Sequence, residues 1–346
     1  MLALNDYLSF SRIANNAMSL TKNFNFSSDE MADLVFEYVY SVGYLEWFHL
    51  GVRRLRSIFE SALSSGNAGK AFFTSTQLIV LSIISGEKKL TPLLKEIDYY
   101  LHLLETYNDE ITRTFLVMFR TTVSMLVGKK VADDITEANN SLETGAEDDE
   151  TPQIITDMIY INGTIQSYWL GYKERCCHFA KKCFDSLPYY FYEYRVIVTF
   201  YYGLNLIEML RQKSNPARRK EVREIIESMK VTVSHADCNF RNKLELLEAE
   251  QYSLEGRRNL AVKSYDAAIE SAKSQKFIHE QGLACEKAGF YFKKLKDLHN
   301  TIRYFDQARV CYDEWGSTLK VEMMENEMTV LDVRYEWFSM LSDSDE

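Results

Sequence analysis

Proline is nearly absent from this sequence, 4 in 346 residues, and glycine is scarce at 14. Folds built from short strands end each strand in a Gly- or Pro-type turn, so this deficit excludes a sandwich, a barrel or an alternating α/β chain. Positive charge is also short: 40 Lys and Arg face 50 Asp and Glu, a net charge of −10. That excludes the basic footprint a general binder of nucleic-acid phosphates needs. Long apolar runs are missing too. The longest, around residues 78–84, is interrupted by Ser82, and a membrane span needs about 20 such residues. Residues 1–11 show neither the basic start nor the apolar centre of a secretion signal. A cytoplasmic chain without membrane insertion is expected, its six cysteines reduced and used as small apolar filler.

What is abundant is apolar and aromatic surface, 46% and 13% of residues, enough for a large core if long helices with short joints supply it. The joints fall at Gly43, at Ser64–Asn67, at Gly86–Lys88, at Pro188 and at Ser214–Pro216. Between them apolar residues recur at helical spacing, as in Leu93, Leu94, Ile97, Tyr100, Leu101 and Leu104. Residues 132–152 break the pattern with eight acidic side chains and read as a mobile acidic loop. The expected organisation is an N-terminal helical segment at 1–28, a first helical block at 29–131, the acidic loop at 132–152, a second block at 153–341 and an acidic tail at 342–346.

The strongest signal is internal. Ala249, Tyr252, Gly256, Ala261, Tyr265 and Ala268 align with Gly289, Phe292, Lys296, Thr301, Phe305 and Ala308 at one constant offset. Small matches small and aromatic matches aromatic at five of the six positions. This is tetratricopeptide logic: small and aromatic on one helix, a turn, then small, aromatic, small on the next. Helices about 8–10 Å apart leave room only for Ala or Gly at the crossing and need an aromatic to fill the next gap. Thr164, Ser167, Gly171, Cys176, Ala180 and Cys183 follow the same rule more loosely. The fold class expected is therefore all-α, tetratricopeptide-like hairpins in a superhelical array, with the aligned residues packing the repeats.

Motifs of chemistry are weak beside this. Cys176, Cys177, His178 and Cys183 lie on one helix, whereas structural zinc draws its ligands from paired elements; packing is the expected role. Ser64 to Ala71 imitates a phosphate-binding loop around Gly69 and Lys70 but lacks the first glycine, the metal-binding hydroxyl and a preceding strand. Arg218, Arg219, Lys220 and Arg223 open a helix and read as a solvated face or a contact for an acidic partner. No catalytic residue, cofactor or metal is expected.

The stretches Asn239-Phe-Arg-Asn-Lys-Leu244, Leu247-Glu-Ala-Glu250, Ala261-Val-Lys-Ser-Tyr-Asp-Ala-Ala-Ile269, Arg303-Tyr-Phe305 and Tyr312-Asp-Glu-Trp-Gly316 resemble the helical segment that follows the predicted ATPase module of large multidomain signalling proteins. Such proteins often carry a kinase-like domain before the ATPase, and GAF plus histidine-kinase or nucleotide-cyclase domains after the helical segment. The likeness is best over residues 239–321 and weaker upstream, at Tyr168–Tyr172 and Phe191–Tyr194. It implies a regulatory scaffold without catalysis of its own, whose protein partners are the ATPase or output domain of a signalling protein. The alternative it implies is a piece of a longer signalling enzyme with catalytic domains outside this chain.

Overall fold

The computed structural model describes residues 43–129, 152–186 and 192–342, with isolated positions before residue 43. The expected acidic loop up to residue 151, the expected joint at Pro188, and most of the expected N-terminal segment and acidic tail lie outside the described residues. Among the described residues every regular element is helical: α1 Phe48–Ser64, α2 Ala68–Ser85, α3 Leu90–Leu103, α4 Glu110–Leu126, α5 Gln153–Trp169, α6 Lys173–Ser186, α7 Tyr192–Gln212, α8 Pro216–Val233, α9 Asp237–Glu255, α10 Arg258–Ser274, α11 Ile278–Lys294, α12 Leu298–Trp315 and α13 Thr318–Ser342, with short 3-10 turns at Gly43–Leu45 and Leu104–Thr106.

The helix starts follow from side chains that take up otherwise unpaired amide groups. Asn67, Asp109, Asn215 and Asp297 accept from the third amide onward in α2, α4, α8 and α12, and Pro216 pre-sets the first turn of α8. Consecutive helices pair as antiparallel hairpins, α1 with α2, α3 with α4, and so on to α11 with α12, while α13 packs on α12. The chain is an all-α helical repeat array. In its best-formed part α10 and α12 begin at Arg258 and Leu298, so one unit spans 40 residues (298 − 258).

Inner and outer helices differ in how much they bury. The outer α10 buries only Ala261, Tyr265, Ala268 and Ala272, one narrow stripe. The inner α11 buries twelve of its residues, including Glu280, Glu286 and Lys287, so it is covered on nearly every side. A helix buried all round must pair its charges internally, because an unpaired buried charge costs several kcal/mol.

What covers the N-terminal ends of the inner helices is the start of the chain. Phe48 of α1 meets Phe240 and Phe277 edge-on at 5.6 and 6.3 Å. Asn239 donates to the Tyr44 and Glu46 carbonyls and accepts from the Phe48 amide, and the Trp47 indole donates to the Gln275 carbonyl at 2.9 Å. Further along the seam Gly86 lies so close to the His279 ring that a Cβ there would sit 2.3 Å from Nδ1. The Ser317 hydroxyl donates to the Leu126 carbonyl at 2.8 Å, and α13 packs on α4. Burying Phe48 alone contributes about 1.5–3 kcal/mol. Beneath these contacts Lys243 and Glu280, 0% and 1% exposed, form an ion pair at 2.7 Å that ties α9 to α11. Helix α2 is long and apolar enough to cross a membrane by length and composition, yet 78% of it is buried in this fold.

Candidate functional site

Most of the residues that the alignment brought together are buried, and two of them stand at turns. Ala249, Ala261, Tyr265, Ala268, Thr301, Phe305 and Ala308 are buried, Phe292 nearly so, and Tyr252 is partly buried. Gly289 of α11 faces Phe305 of α12 so closely that a Cβ would sit 2.4 Å from the ring. Gly256 ends α9 in the left-handed region at φ 74°, and its aligned partner Lys296 adopts the same conformation at φ 61°. Gly163 faces Phe179 in the same manner, and its spacing to Phe179 equals that of Gly289 to Phe305. That contact is one residue earlier than the looser register through Thr164 and Ala180 implies. Thr164, Cys176, Ala180 and Cys183 are nonetheless fully buried.

The cysteine run does not form a ligand set. Burial pushes the thiols of Cys176 and Cys183 far up, so they stay protonated, and Cys177 turns its sulfur to Met209 and Asn205. Among the described residues no cluster of His, Cys, Asp and Glu could hold a metal ion. Gly69 and Lys70 lie in the first turn of α2, after helix α1 where a phosphate-binding loop would need a strand, and the Asn67 side chain occupies the amide of Lys70 that a phosphate would need.

The opposite, C-terminal ends of the inner helices surround a cavity of about 420 Å³. Four hairpins and the final helix contribute to it: Tyr168 and Trp169 from the end of α5 with Lys173 just beyond, Glu208 and Arg211 from α7, Glu250 and Ser253 from α9, Glu286, Lys287, Phe290 and Lys294 from α11, and Lys320 and Met323 from the start of α13. The walls are largely apolar. Phe290 and Met323, two of the lining residues, are 37% and 39% exposed and offer apolar surface to a ligand.

The charges in the cavity are ordered. Glu208 accepts from Lys173 at 3.2 Å and from Lys287. Burial works to raise its carboxyl, but the Lys287 and Lys173 ammonium groups outweigh it and hold the carboxyl down at about 2. Lys287 also lies 5.6 Å from the Tyr168 ring centre. Glu250, 1% exposed, accepts from Arg211 at 2.6 Å and from the Tyr265 hydroxyl, and Arg211 reaches Ser253 as well. Glu286 accepts from Lys320 at 2.7 Å and from the Tyr312 hydroxyl at 2.5 Å. Lys294 is exposed at the rim and has no ionic partner among the described residues. Five cations thus face three carboxylates, an excess of two positive charges in a chain whose net charge is −10.

None of these cavity residues stands out in the sequence, where Glu208, Arg211, Glu286 and Lys287 look like ordinary solvated helix positions. The usable signal was their company: each is interleaved with residues that helical spacing places inside.

No protein-family model matches the chain, and no curated protein matches it. Among solved structures, a chain described as "Circular tandem repeat protein with novel repeat topology and enhanced subunit contact surfaces" is similar at 12% identity and a TM-score of 0.25, over 98% of this chain and 91% of that one. The all-α assignment rests on the helix pairing above.

Proposed function

We propose that the chain is a protein-interaction scaffold, without catalysis of its own, that holds a segment of another protein in the cavity at the C-terminal ends of its inner helices. The observation that carries this reading is the construction of the cavity. Four successive repeats and the helix that follows them contribute side chains to one concave surface, which is how helical arrays recognise extended partners. A site assembled this way has apolar walls for contact area and fixed charges for orientation.

The partner proposed is the ATPase or output region of a cytoplasmic signalling protein. Support for that comes from the sequence resemblance over residues 239–321, the stretch that supplies α9, α11 and the start of α13 to the cavity. Purified chain titrated with such an ATPase or output region in the calorimeter, with and without nucleotide, is expected to bind at tens of micromolar or tighter. Met323→Glu, at the exposed rim, is expected to weaken that binding while leaving the thermal midpoint in place. A folded, monodisperse preparation that binds neither region in any nucleotide state refutes the reading.

A further inference from the structure

We infer that the segment this cavity takes is acidic, a peptide whose carboxylates approach Lys294, Lys173 and Arg211 while an aliphatic side chain rests between Phe290 and Met323. The inference rests on the scaffold reading above and adds the chemical class of the ligand.

Charge complementarity commits it. The surface of an acidic chain ordinarily repels an acidic partner, and the cavity is a place where that sign reverses, five cations against three carboxylates. The three carboxylates are not available to hold a basic ligand. Glu250 and Glu286 are 1% and 8% exposed, and each already accepts from a cation and a tyrosine hydroxyl; Glu208 accepts from two lysines. A basic segment would have to displace those internal cations and leave them unpaired at a partly buried site, which burial penalises. The cations are differently placed. Lys294 is exposed without an ionic partner, while Lys173 and Arg211 are 33% and 27% exposed beyond their existing pairs, and both side chains have donors to spare. The exposed Phe290 and Met323 add apolar contact, so the site is suited to a peptide rather than to a bare anion.

The test uses the full chain and fluorescein-labelled peptides of repeated Glu-Glu-Leu, with Gln-Gln-Leu, Lys-Lys-Leu and polyglutamate as comparisons, read by anisotropy. The Glu-Glu-Leu probe is expected to bind best. Polyglutamate is expected to bind weakly, and raised salt to weaken both. Lys294→Glu is expected to reduce affinity for Glu-Glu-Leu by about threefold to tenfold, the effect of reversing one rim charge. Lys263→Glu, the same charge change on the exposed face of α10, is expected to leave it unchanged. Equal losses in the two variants would mean non-specific attraction and overturn the inference. Preference for Lys-Lys-Leu, strengthened by Lys294→Glu, would overturn the acidic class while leaving the scaffold reading intact. No binding of any probe, with the ATPase or output region still bound in the calorimeter, would overturn the inference alone; failure of that region as well would remove the scaffold reading with it.

Discussion

Adding one methyl group at Gly289 is the most direct trial of the repeat packing. The Cβ of Gly289→Ala would sit 2.4 Å from Cδ1 and 2.5 Å from Cε1 of Phe305, and carbon atoms meet comfortably only near 3.5–4.0 Å. Phe305 has nowhere to go. It is fully buried, and its ring packs edge-on against Phe290 at 5.0 Å. Helices α11 and α12 must therefore part or the ring must leave its rotamer, at about 1–3 kcal/mol. Against this stands the better helix propensity of alanine, worth about 1 kcal/mol. The overlap is severe enough to place the packing cost at the upper end, so the net expectation is a destabilisation of about 1–2 kcal/mol. Gly69→Ala is the control: nothing lies within 4 Å of the new atom, so only the propensity gain remains. Urea unfolding followed by circular dichroism reads both as midpoints. Pairing Gly289→Ala with Phe305→Leu should recover part of the loss, a coupling that independent sites do not show. A Gly289→Ala midpoint at or above the parent refutes the crossing geometry, and with it the equivalence of the Gly289/Phe305 and Gly163/Phe179 contacts.

Ala268→Leu and Ala308→Leu, at buried positions on the outer helices, are expected to lower the urea midpoint by the equivalent of about 1–3 kcal/mol, with Lys273→Leu costing less. Lys243→Ala should cost about 3–5 kcal/mol because it strands the Glu280 carboxylate in the seam, whereas Lys243→Met with Glu280→Gln should cost less than that single change; equal losses refute the pairing argument. Acid should loosen the seam. Burial holds His49 down at about 4 and His279 well below its ordinary range, so the unfolded chain takes up protons at about pH 6.5 that the folded chain refuses. The stability these rings contribute is full above pH 6.5 and is lost as pH falls toward 4, by up to about 1.4 kcal/mol per pH unit for each ring. Urea midpoints that stay flat between pH 6.5 and 5 refute it, and His49→Phe should reduce the slope. MgATP is expected to give no binding heat in calorimetry, and micromolar binding abolished by Lys70→Ala would overturn that.

The repeat was legible because its signal is local. A small residue, a turn and an aromatic recur within one hairpin, and the helices that carry them punctuate themselves at Asn67, Asn215 and Gly256. Even the pairing of Gly256 with Lys296, an odd match on residue type, reflects a shared left-handed turn. Lysine at positive φ carries no sequence signature of its own, so only the constant offset could reveal it. The same locality limits precision: the looser register uses Thr164, while its neighbour Gly163, the one of the two without a side chain, lies under Phe179.

The seam and the cavity were not legible, for one physical reason. Both are made by residues far apart along the chain, Trp47 with Gln275, Gly86 with His279, Glu208 with Lys173 and Lys287, and helical periodicity reports only which face of a helix is buried. On α11 it reports less than that, because burial runs nearly all the way round and apolar positions no longer single out a face. Charged residues then carry the information. Lys243, Glu280, Glu286 and Lys287 are costly to bury in any arrangement except one in which each finds its partner. The pairs Lys243 with Glu280 and Lys320 with Glu286 join each inner helix to the next, α9 to α11 and α11 to α13. A hairpin sliding by one turn would lose small-to-aromatic contacts such as Gly289 with Phe305. An ion pair buried between neighbouring inner helices adds to that cost, since the slide would strand both charges. These pairs fix the relative register of α9, α11 and α13, and so where Lys294 stands at the cavity; the pairs of Glu208 with Lys173 and Lys287, and of Glu250 with Arg211, do the same for α6 and α7.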